Sequence, residues 1–364
     1  CGEAGSESQT EKKTTPNHLI ALASTSMASR SRFFGDEVSG PDILAEYDLE
    51  DHAIGSGNFA VVKRARNRST GEMVAVKVID KMNIDVSVES LKQEVSILKQ
   101  VDHENIVGLT DIYEDDRRVY LIMELMTGGE LFDRIVDKYP NGYTEQTAAQ
   151  VVKKIVNALA YLHKKDIVHR DLKPENLLYV SPDNDADIKI TDFGLAKLKR
   201  PDSLLKTACG TPNYVAPEII LGEKYDEKVD MWSVGIIMFI LLCGYPPFYH
   251  KETPQLFQLI VAGDVKFASP YWDNVSASAK DLISRLLKVE PRERYSAEQC
   301  LAHPWIKGTT ARDELISGVV GELKKFNARR KLKMGVDAVL TALRLFQAIG
   351  EVSGGGASSS SRGR

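Results

Sequence analysis

The chain has 364 residues, a formal net charge of −4 and 43% hydrophobic residues. This length holds two ordinary domains or one large two-lobed enzyme, either with a sizeable buried core. The small net charge argues against a nucleic-acid binder with a strongly basic surface, so we expect no nucleic-acid partner.

Four cysteines lie far apart along the chain, at Cys1, Cys209, Cys243 and Cys300. No Cys-x-x-Cys pair occurs, so we predict neither a disulfide framework nor a cysteine zinc site, and a reducing compartment suits such a protein. The longest apolar run, around residues 234–243, is about half of the ~20 residues that a membrane-spanning helix needs. We therefore expect no membrane span and a cytoplasmic location, with the nucleus as the alternative.

The two ends of the chain lack the periodicity of packed elements. Residues 1–46 are expected to be a disordered N-terminal extension. Ser, Thr and basic residues without acids over residues 12–34 leave a transit peptide as the alternative. Residues 351–364 form a Gly/Ser tail that is also expected to be disordered.

The first third of the chain after the extension alternates in the manner of β-strands. Predicted strands cover residues 47–54, 61–66, 73–79 and 119–125, with Ser69-Thr70-Gly71 as a hairpin turn. One helix, residues 88–100, lies among them, because Val88, Leu91, Val95 and Leu98 recur at spacings of three and four. These patterns predict a small antiparallel β lobe with one helix over residues 47–125.

Helical periods dominate after a break at Met126-Thr127-Gly128-Gly129. Predicted helices cover residues 144–164, 228–242, 254–262 and 276–287. The predicted fold class is therefore α+β, a two-lobed fold with the small β lobe and a larger α-helical lobe over residues 126–305. A cleft between the lobes is the expected binding site.

A glycine-rich turn, Gly55-Ser56-Gly57-Asn58-Phe59-Ala60, joins the first two predicted strands. Its glycines let backbone N–H groups approach phosphate oxygens, although such a turn is more often an ordinary hairpin. The strand that follows carries Lys77, and the next helix places Glu94 where it could pair with that lysine. A lysine held in this way presents a fixed charge to ATP phosphates; an ordinary strand-edge lysine is the alternative.

The densest chemical signal is the run His169-Arg170-Asp171-Leu172-Lys173-Pro174-Glu175-Asn176. Asp171 can accept the proton of a substrate hydroxyl, and Lys173 can neutralise charge on a transferring phosphoryl group. Asn176 and the aspartate of Asp192-Phe193-Gly194 can bind Mg²⁺. Ala216-Pro217-Glu218 follows them along the chain.

In this order the motifs resemble the protein kinase catalytic domain over about residues 47–305. The resemblance implies ATP and Mg²⁺ as cofactors, Asp171 as catalytic base, and Lys77 with Glu94 as an ion pair. It also implies that residues 55–62 lie over ATP, and that Met123 is the gatekeeper next to an adenine-binding segment, residues 124–126. The nucleotide-site residues so implied are Ile54, Gly55, Ser56, Gly57, Phe59, Val62, Ala75, Lys77, Glu94, Met123, Glu124, Met126 and Leu178.

The string Lys-Pro-Glu-Asn and the run Gly210-Thr211-Pro212 resemble serine/threonine kinases, so serine and threonine of proteins are the expected acceptors. The resemblance further implies a buried ion pair between Glu218 and Arg294, and an Asp230 that braces the catalytic loop. Glu175 and Thr211 are implied to contact the substrate.

Two further stretches, residues 128–135 and 209–218, resemble the calcium/calmodulin-dependent protein kinase group. Within that resemblance Glu130 binds an arginine three residues before the target serine or threonine. An acid favoured by the dipole at a helix N-terminus is the alternative. Thr207 resembles a threonine that an upstream kinase phosphorylates.

Residues 323–333 near the C-terminus are strongly basic. Apolar residues recur at helical spacings through and beyond this stretch: Leu323, Phe326, Leu332, Val336, Val339 and Leu343. A basic amphipathic helix suits calmodulin. The region resembles the regulatory segment of multifunctional calmodulin-dependent kinases, so residues 306–350 are predicted to be autoinhibitory and calmodulin-binding. Predicted regulatory residues are Thr207, Phe326, Arg329, Arg330 and Leu332. A helix packed on the large lobe and a membrane-surface helix are the alternatives.

We expect the kinase to be a monomer, because no oligomerising segment is recognised. Other functions are alternatives to a calmodulin-regulated kinase. A pseudokinase scaffold would require loss of Lys77, Asp171, Asn176 or Asp192, and none is lost. A kinase of small molecules is disfavoured because the activation segment, the part of the chain that runs through Glu218, and the position of Glu130 suit an extended peptide. A calmodulin-independent serine/threonine kinase is the remaining alternative.

Overall fold

The structure, a computed structural model, describes residues 34, 42–56, 60–81, 88–183, 187–192, 212–316, 318–333 and 335–336. Within these ranges, the side chains of residues 88–90, 93, 94 and 97 are not described. The predictions made for the two chain ends, Gly57, Phe59, Thr207 and Thr211 lie outside the described residues, as does the prediction for the Glu94 side chain.

The small lobe is a five-stranded antiparallel sheet in the order β1-β2-β3-β5-β4. Its strands are β1 (Tyr47–Ser56), β2 (Ala60–Asn67), β3 (Met73–Asp80), β4 (Leu109–Glu114) and β5 (Arg118–Glu124). Helix α1 (Val88–Gln100) lies between β3 and β4 in the chain. The predicted lobe is confirmed, although β4 was not predicted, because Ile112, Tyr113 and Glu114 are all buried and the strand shows no alternation.

The register of the central strands sets which side chains reach the cleft. Lys77 on β3 is paired with Val62 on β2 and Leu121 on β5. Ala75, two residues earlier, is paired with Met123. Because alternate residues of a strand share one face, Ala75 and Lys77 lie on the same side of the sheet.

The larger lobe is mainly helical, as predicted. Its elements are α2 (Leu131–Lys138), α3 (Glu145–His163), β6 (Leu177–Tyr179), β7 (Ile188–Ile190), α4 (Pro217–Ile220), α5 (Lys228–Cys243), α6 (Thr253–Ala262), α7 (Ala277–Leu286) and α8 (Ala297–Ala302). Helix α5 carries the longest apolar run and is buried from Val229 to Cys243. Within the described residues, no helix combines the length and apolarity needed to cross a membrane.

Side-chain oxygens define where the large-lobe helices begin. Thr144 Oγ1 accepts the Thr147 N–H at the start of α3, and Ser276 Oγ accepts the Ala279 N–H at the start of α7. Ser296 and Gln299 form a reciprocal capping box at the start of α8. Such caps satisfy N–H groups that have no partner within the helix.

A further helix, α9 (residues 319–333), packs against the large lobe. Val319, Val320 and Leu323 lie in the same buried core as α3 and α5. Upstream of α9, the Ile316 N–H donates to the Tyr143 carbonyl at 2.9 Å. Ile316, Val319, Val320 and Leu323, which lie within the predicted regulatory segment, therefore pack in the core of the large lobe.

A buried ion pair ties α4 to the loop between α7 and α8. Arg294 donates from Nη1 and Nη2 to the two carboxylate oxygens of Glu218, at 2.7 and 3.0 Å. The two side chains are 0% and 2% exposed, so the expected buried pair is confirmed. Removing one partner of a buried pair costs about 3–5 kcal/mol, because the other charge is left uncompensated.

Candidate active site

A cavity between the two lobes contains most of the predicted nucleotide-site residues. Those that line it are Ile54, Val62, Ala75, Lys77, Met123, Glu124, Met126, Leu178 and Asp192. Gly55 and Ser56 end β1 and directly follow Ile54, which lines the cavity. Leu98, Val107, Leu121 and Thr191 also line the cavity and were not predicted. Leu125 lines it too and lies within the predicted adenine-binding segment, residues 124–126.

The segment that joins the lobes is attached to β6 by backbone hydrogen bonds. The Thr127 N–H donates to the Val180 carbonyl and the Gly128 N–H to the Tyr179 carbonyl, each at 2.9 Å. A Cβ atom at Gly128 would lie 2.3 Å from the Ser181 carbonyl oxygen. Only glycine permits this close approach of two backbones.

The catalytic loop is fixed by one buried carboxylate. Asp230, which is 1% exposed, accepts the Arg170 N–H at 2.7 Å and the His169 N–H at 2.9 Å. His163 Nε2 lies 2.9 Å from the same carboxylate. Arg170 has a φ of 70°, a left-handed conformation that is unusual for a residue other than glycine. The bracing role expected for Asp230 is therefore confirmed, and its hydrogen bonds hold the loop in this conformation.

The candidate catalytic residues converge on the carboxylate of Asp171. Lys173 Nζ donates to Asp171 Oδ2 at 2.7 Å. Asn176 Nδ2 donates to the Asp171 carbonyl at 2.8 Å and to Oδ2 at 3.3 Å. Burial alone would lower the pKa of Lys173, but the nearby carboxylates of Asp171 and Glu175 outweigh it and raise that pKa. Lys173 is therefore a cation beside the candidate base.

A second carboxylate of the site is that of Asp192. Its Oδ1 accepts a hydrogen bond of 2.6 Å from Lys77 Nζ, and Lys77 is 7% exposed. Burial alone would raise the pKa of Asp192, but the Lys77 ammonium, with smaller contributions from His169 and Lys173, lowers it below the ordinary value. Lys77 thus pairs with Asp192, while the Lys77–Glu94 pair stays a prediction.

Two hydrogen bonds to Thr191 position the carboxylates of Asp171 and Asp192 near each other. His169 is fully buried, and its Nε2 donates to the Thr191 carbonyl at 3.0 Å. The Thr191 N–H donates to the Asn176 carbonyl at 2.9 Å. These two bonds join the loop that carries Asp171 to the residue directly before Asp192.

The donor set fits a magnesium ion bound together with a nucleotide. Asn176 uses its amide nitrogen on Asp171, so its carbonyl oxygen is the atom left for a cation, and Asp192 supplies a carboxylate. In the described part of the chain, no group of three or more His, Cys, Asp or Glu side chains could hold a metal ion. Mg²⁺ needs only one or two such oxygens when phosphate oxygens and water complete its coordination.

Helix α9 places an arginine on the two predicted substrate acids. Arg330 Nη2 is paired with Glu130 Oε2, and Arg330 Nη1 lies 3.2 Å from Glu175 Oε1. The Arg330 side chain is only 1% exposed. Glu130 stands at the N-terminus of α2 but makes no capping hydrogen bond with its side chain, so its carboxylate serves this ion pair.

The other predicted regulatory residues of α9 differ in their contacts. Phe326 packs edge-on against Phe132 on α2, with ring centroids 6.1 Å apart. Arg329 is exposed, and Leu332 is 70% exposed. Asn327 and Lys331, which were not predicted, both contact Asp133, at 3.1 and 2.8 Å.

Comparison with known proteins agrees with this geometry. Residues 49–306 match the protein kinase domain family. The chain is 46% identical over 315 residues to calcium/calmodulin-dependent protein kinase type 1 of Macrobrachium nipponense, covering 85% of this chain and 90% of that protein. It is 46% identical to the type 1 enzyme of Caenorhabditis elegans over 315 residues, with 85% and 89% coverage. It is 44% identical to the human type IV enzyme over 328 residues, with 90% and 68% coverage. The chain therefore belongs to the protein kinase family, as a serine/threonine kinase of the calcium/calmodulin-dependent type.

Proposed function

We propose that this kinase is held inactive by its own helix α9, and that calcium-calmodulin activates it by removing that helix. The observation that carries the proposal is Arg330, which is buried between Glu130 and Glu175. A substrate arginine bound by these two acids would compete with Arg330 for the same carboxylates. Both the autoinhibition and a preference for arginine three residues before the target follow from this one contact.

The charges around Arg330 explain why the contact is stable in the closed enzyme. Burial alone would lower the pKa of Arg330, but Glu175 and Glu130 outweigh it and raise that pKa, so the guanidinium stays charged. A buried charge without a partner is costly, whereas two carboxylates compensate this one. A peptide that supplies its own arginine could replace Arg330 without leaving the acids unpaired.

The end of α9 and the residues that follow it have the features of a calmodulin target. Leu332 and Val336 are 70% and 48% exposed, and the basic residues Arg329, Lys331 and Lys333 are exposed or half-exposed around them. Calmodulin binds amphipathic helices through large apolar anchors, and its acidic rim attracts basic side chains. The three relatives named above are calcium/calmodulin-dependent by name, which supports the same proposal.

The proposed reaction uses ATP with Mg²⁺. Asn176 and Asp192 would bind the ion, and the ion would neutralise negative charge on the phosphates. Asp171 orients the serine or threonine hydroxyl and accepts its proton as the oxygen bonds to the terminal phosphorus. The bond from that phosphorus to the bridging oxygen breaks, and ADP leaves. Lys173, 2.7 Å from Asp171, balances negative charge on the group in transfer.

We also propose that phosphorylation of Thr207 by an upstream kinase orders the activation segment. Within the described residues, Arg170 Nε has no hydrogen-bond partner, and the Arg170 guanidinium lies 5.2 Å from the Tyr225 ring centroid. A phosphate would supply charge-assisted acceptors for this arginine. Thr207→Ala should lower activity and leave the affinity for calmodulin intact; unchanged turnover with and without the upstream kinase would contradict this role.

Neighbouring arginines of α9 give a matched test of autoinhibition. The full chain is assayed with Mg²⁺, ATP and a peptide that contains Arg-x-x-Ser, with and without calcium-calmodulin. Arg330→Ala should raise the calmodulin-free activity by about fivefold or more, a typical size for such coupling. Arg329→Ala, which removes an exposed arginine, should keep the calmodulin-free activity low.

Each alternative function predicts a different outcome of this assay. A pseudokinase would transfer no phosphate under any condition, and a calmodulin-independent kinase would show equal activity with and without calmodulin. Equal calmodulin-free activity of wild type and Arg330→Ala would remove the autoinhibition proposal. The monomeric state and the cytoplasmic or nuclear location stay predictions.

A further inference from the structure

We infer that Phe34, in the N-terminal extension, is a positioning residue for nucleotide binding. Its ring completes an apolar cluster whose other side forms part of the wall of the cavity between the lobes. The inference rests on the proposed use of that cavity for ATP.

Phe34 has a built seat on the small lobe. The residue is 6% exposed, although among the described residues it alone precedes Asp42. Its ring belongs to a cluster of buried residues from β3, α1, β4 and β5: Ile79, Leu91, Val95, Ile112, Val119 and Leu121. The other members are 0–2% exposed, so the ring fills a site that is otherwise closed to water.

The backbone of Phe34 is fixed by a buried carboxylate. Its N–H donates to Glu114 Oε2 at 2.9 Å, and Glu114 is fully buried. The other carboxylate oxygen, Oε1, lies 2.5 Å from Lys81 Nζ. A buried carboxylate is costly unless its oxygens are paired, and these two contacts help to pair those of Glu114. The hydrogen bond therefore fixes the backbone of Phe34 beside the apolar seat.

Two leucines connect the seat to the nucleotide cavity. Leu121 belongs to the buried cluster and also lines the cavity, and its strand partner is Lys77. Leu98 of α1 packs against the same cluster and also lines the cavity. Because packed interiors transmit small shifts, loss of the Phe34 ring would let α1 and β5 move at the wall of the cavity.

The test measures binding of Mg²⁺-ATP to the full chain by calorimetry, which needs no catalytic turnover. Phe34→Ala should weaken binding by about fivefold or more, within the usual range of coupling between two sites. Phe34→Leu, which keeps an apolar side chain in the seat, should recover much of the affinity. Phe33→Ala removes the same ring from the neighbouring position and should bind as wild type does.

Hydrogen exchange of the same proteins separates positioning from simple stability. In Phe34→Ala, the amides of residues 91–98 should exchange faster, and those of α5 should not change. A lower unfolding temperature with an unchanged dissociation constant would overturn the inference, as would equal losses in Phe33→Ala and Phe34→Ala. If Phe34→Ala does not fold, the comparison of Phe34→Leu with wild type decides. Failure of the wild type to bind ATP would instead refute the proposed function of the cavity.

Discussion

At the scale of single residues, two side chains donate hydrogen bonds to the carboxylate of the candidate base. Lys173 Nζ and Asn176 Nδ2 both donate to Asp171 Oδ2, at 2.7 and 3.3 Å. These donors hold the carboxylate in one orientation. Proton acceptance by this one side chain can therefore be tested without disturbing the nucleotide site.

Asp171→Asn keeps the size of the side chain but cannot accept the proton of a substrate hydroxyl. We expect kcat to fall by about 100-fold or more, the usual contribution of general base catalysis. The dissociation constant for Mg²⁺-ATP should change little, because Asp192 and Lys77 are unaltered. Steady-state kinetics and calorimetry measure the two quantities.

The matched control is Asp166→Asn, which makes the same chemical change in the loop before the catalytic run. Asp166 has a φ of 57°, a conformation that asparagine also tolerates well. This variant should keep normal kcat. A kcat near that of wild type in Asp171→Asn would contradict the role of Asp171 as base.

Lys77 and Asp192 make stability depend on pH in a defined direction. The Lys77 ammonium lowers the pKa of Asp192 below its ordinary value of 3.8, against the opposing effect of burial. A lowered pKa means that the ionised carboxylate stabilises the fold at pH values above 3.8. That contribution is lost as the pH falls through the lowered pKa of the folded state.

Asp192→Asn should therefore be less stable than wild type at neutral pH, because it leaves the buried Lys77 charge without its partner. We expect a loss of about 1 kcal/mol or less, because the Asp192 side chain is 49% exposed and solvent screens the pair. The difference should be constant from about pH 7 to pH 5 and should shrink below about pH 4. Urea unfolding across this range measures it, and Asp264→Asn, which breaks a highly exposed pair with Lys266, should show almost no loss. A difference that grows as the pH falls would contradict this assignment.

At the scale of elements, the start of α9 packs directly against the end of α5. Gly244 ends α5 with a φ of 84°. A Cβ atom there would lie 2.6 Å from Glu322 Cβ and 2.8 Å from the Leu323 nitrogen. The first turn of α9 therefore rests directly on the glycine backbone, which leaves no space for a side chain.

Gly244→Ala should push α9 away from the large lobe and weaken the autoinhibition that we propose. Calmodulin-free kinase activity should rise by about fivefold or more. Gly222→Ala is the control: Gly222 has a similar φ of 71°, but a Cβ atom there meets nothing within 4 Å. It should carry only the conformational cost of alanine at positive φ. Low calmodulin-free activity in both variants would show that the contact does not position α9.

At the scale of the whole molecule, the large lobe extends well beyond the end of the matched kinase domain. Val319 and Val320 are 2% and 6% exposed, and Leu323 is fully buried. Arg330, which contacts Glu130 and Glu175, lies about two turns after Leu323 on the same helix. Truncated chains can thus be designed that lose Arg330 but keep the buried core residues, or that lose both.

A chain ending at Lys324 should unfold cooperatively and phosphorylate the peptide without calmodulin, because it keeps the core residues and lacks Arg330. A chain ending at Pro304 also loses Trp305, which is fully buried, and should be destabilised by more than about 5 kcal/mol. Urea unfolding and the peptide assay measure the two properties. A calmodulin-free activity in the longer truncation as low as in the full chain would contradict autoinhibition by the removed part.

Long elements with a clear hydrophobic period could be predicted from the sequence to within one or two residues. Helices α3, α5 and α7 and the strands that pair with β2 belong to this group. The short helix α4 and the strand β4 could not, because tertiary packing and not local pattern stabilises them. Helix α8 was not predicted either, although the capping box of Ser296 and Gln299 is a local signal of a helix start. In β4, Glu114 is buried with Lys81 and Phe34 as partners, and no local signal shows a charge that is buried in this way.

By itself, the sequence determined the chemistry of the site, because catalytic loop residues such as Asp171, Lys173 and Asn176 lie within one short loop and their spacing is a local property. Only the tertiary structure decided which distant groups meet. Lys77 and Asp192 are separated by 115 positions, and Arg330 and Glu130 by 200. Such contacts depend on how strands and helices pack in three dimensions, and the same packing seats Phe34 on the small lobe.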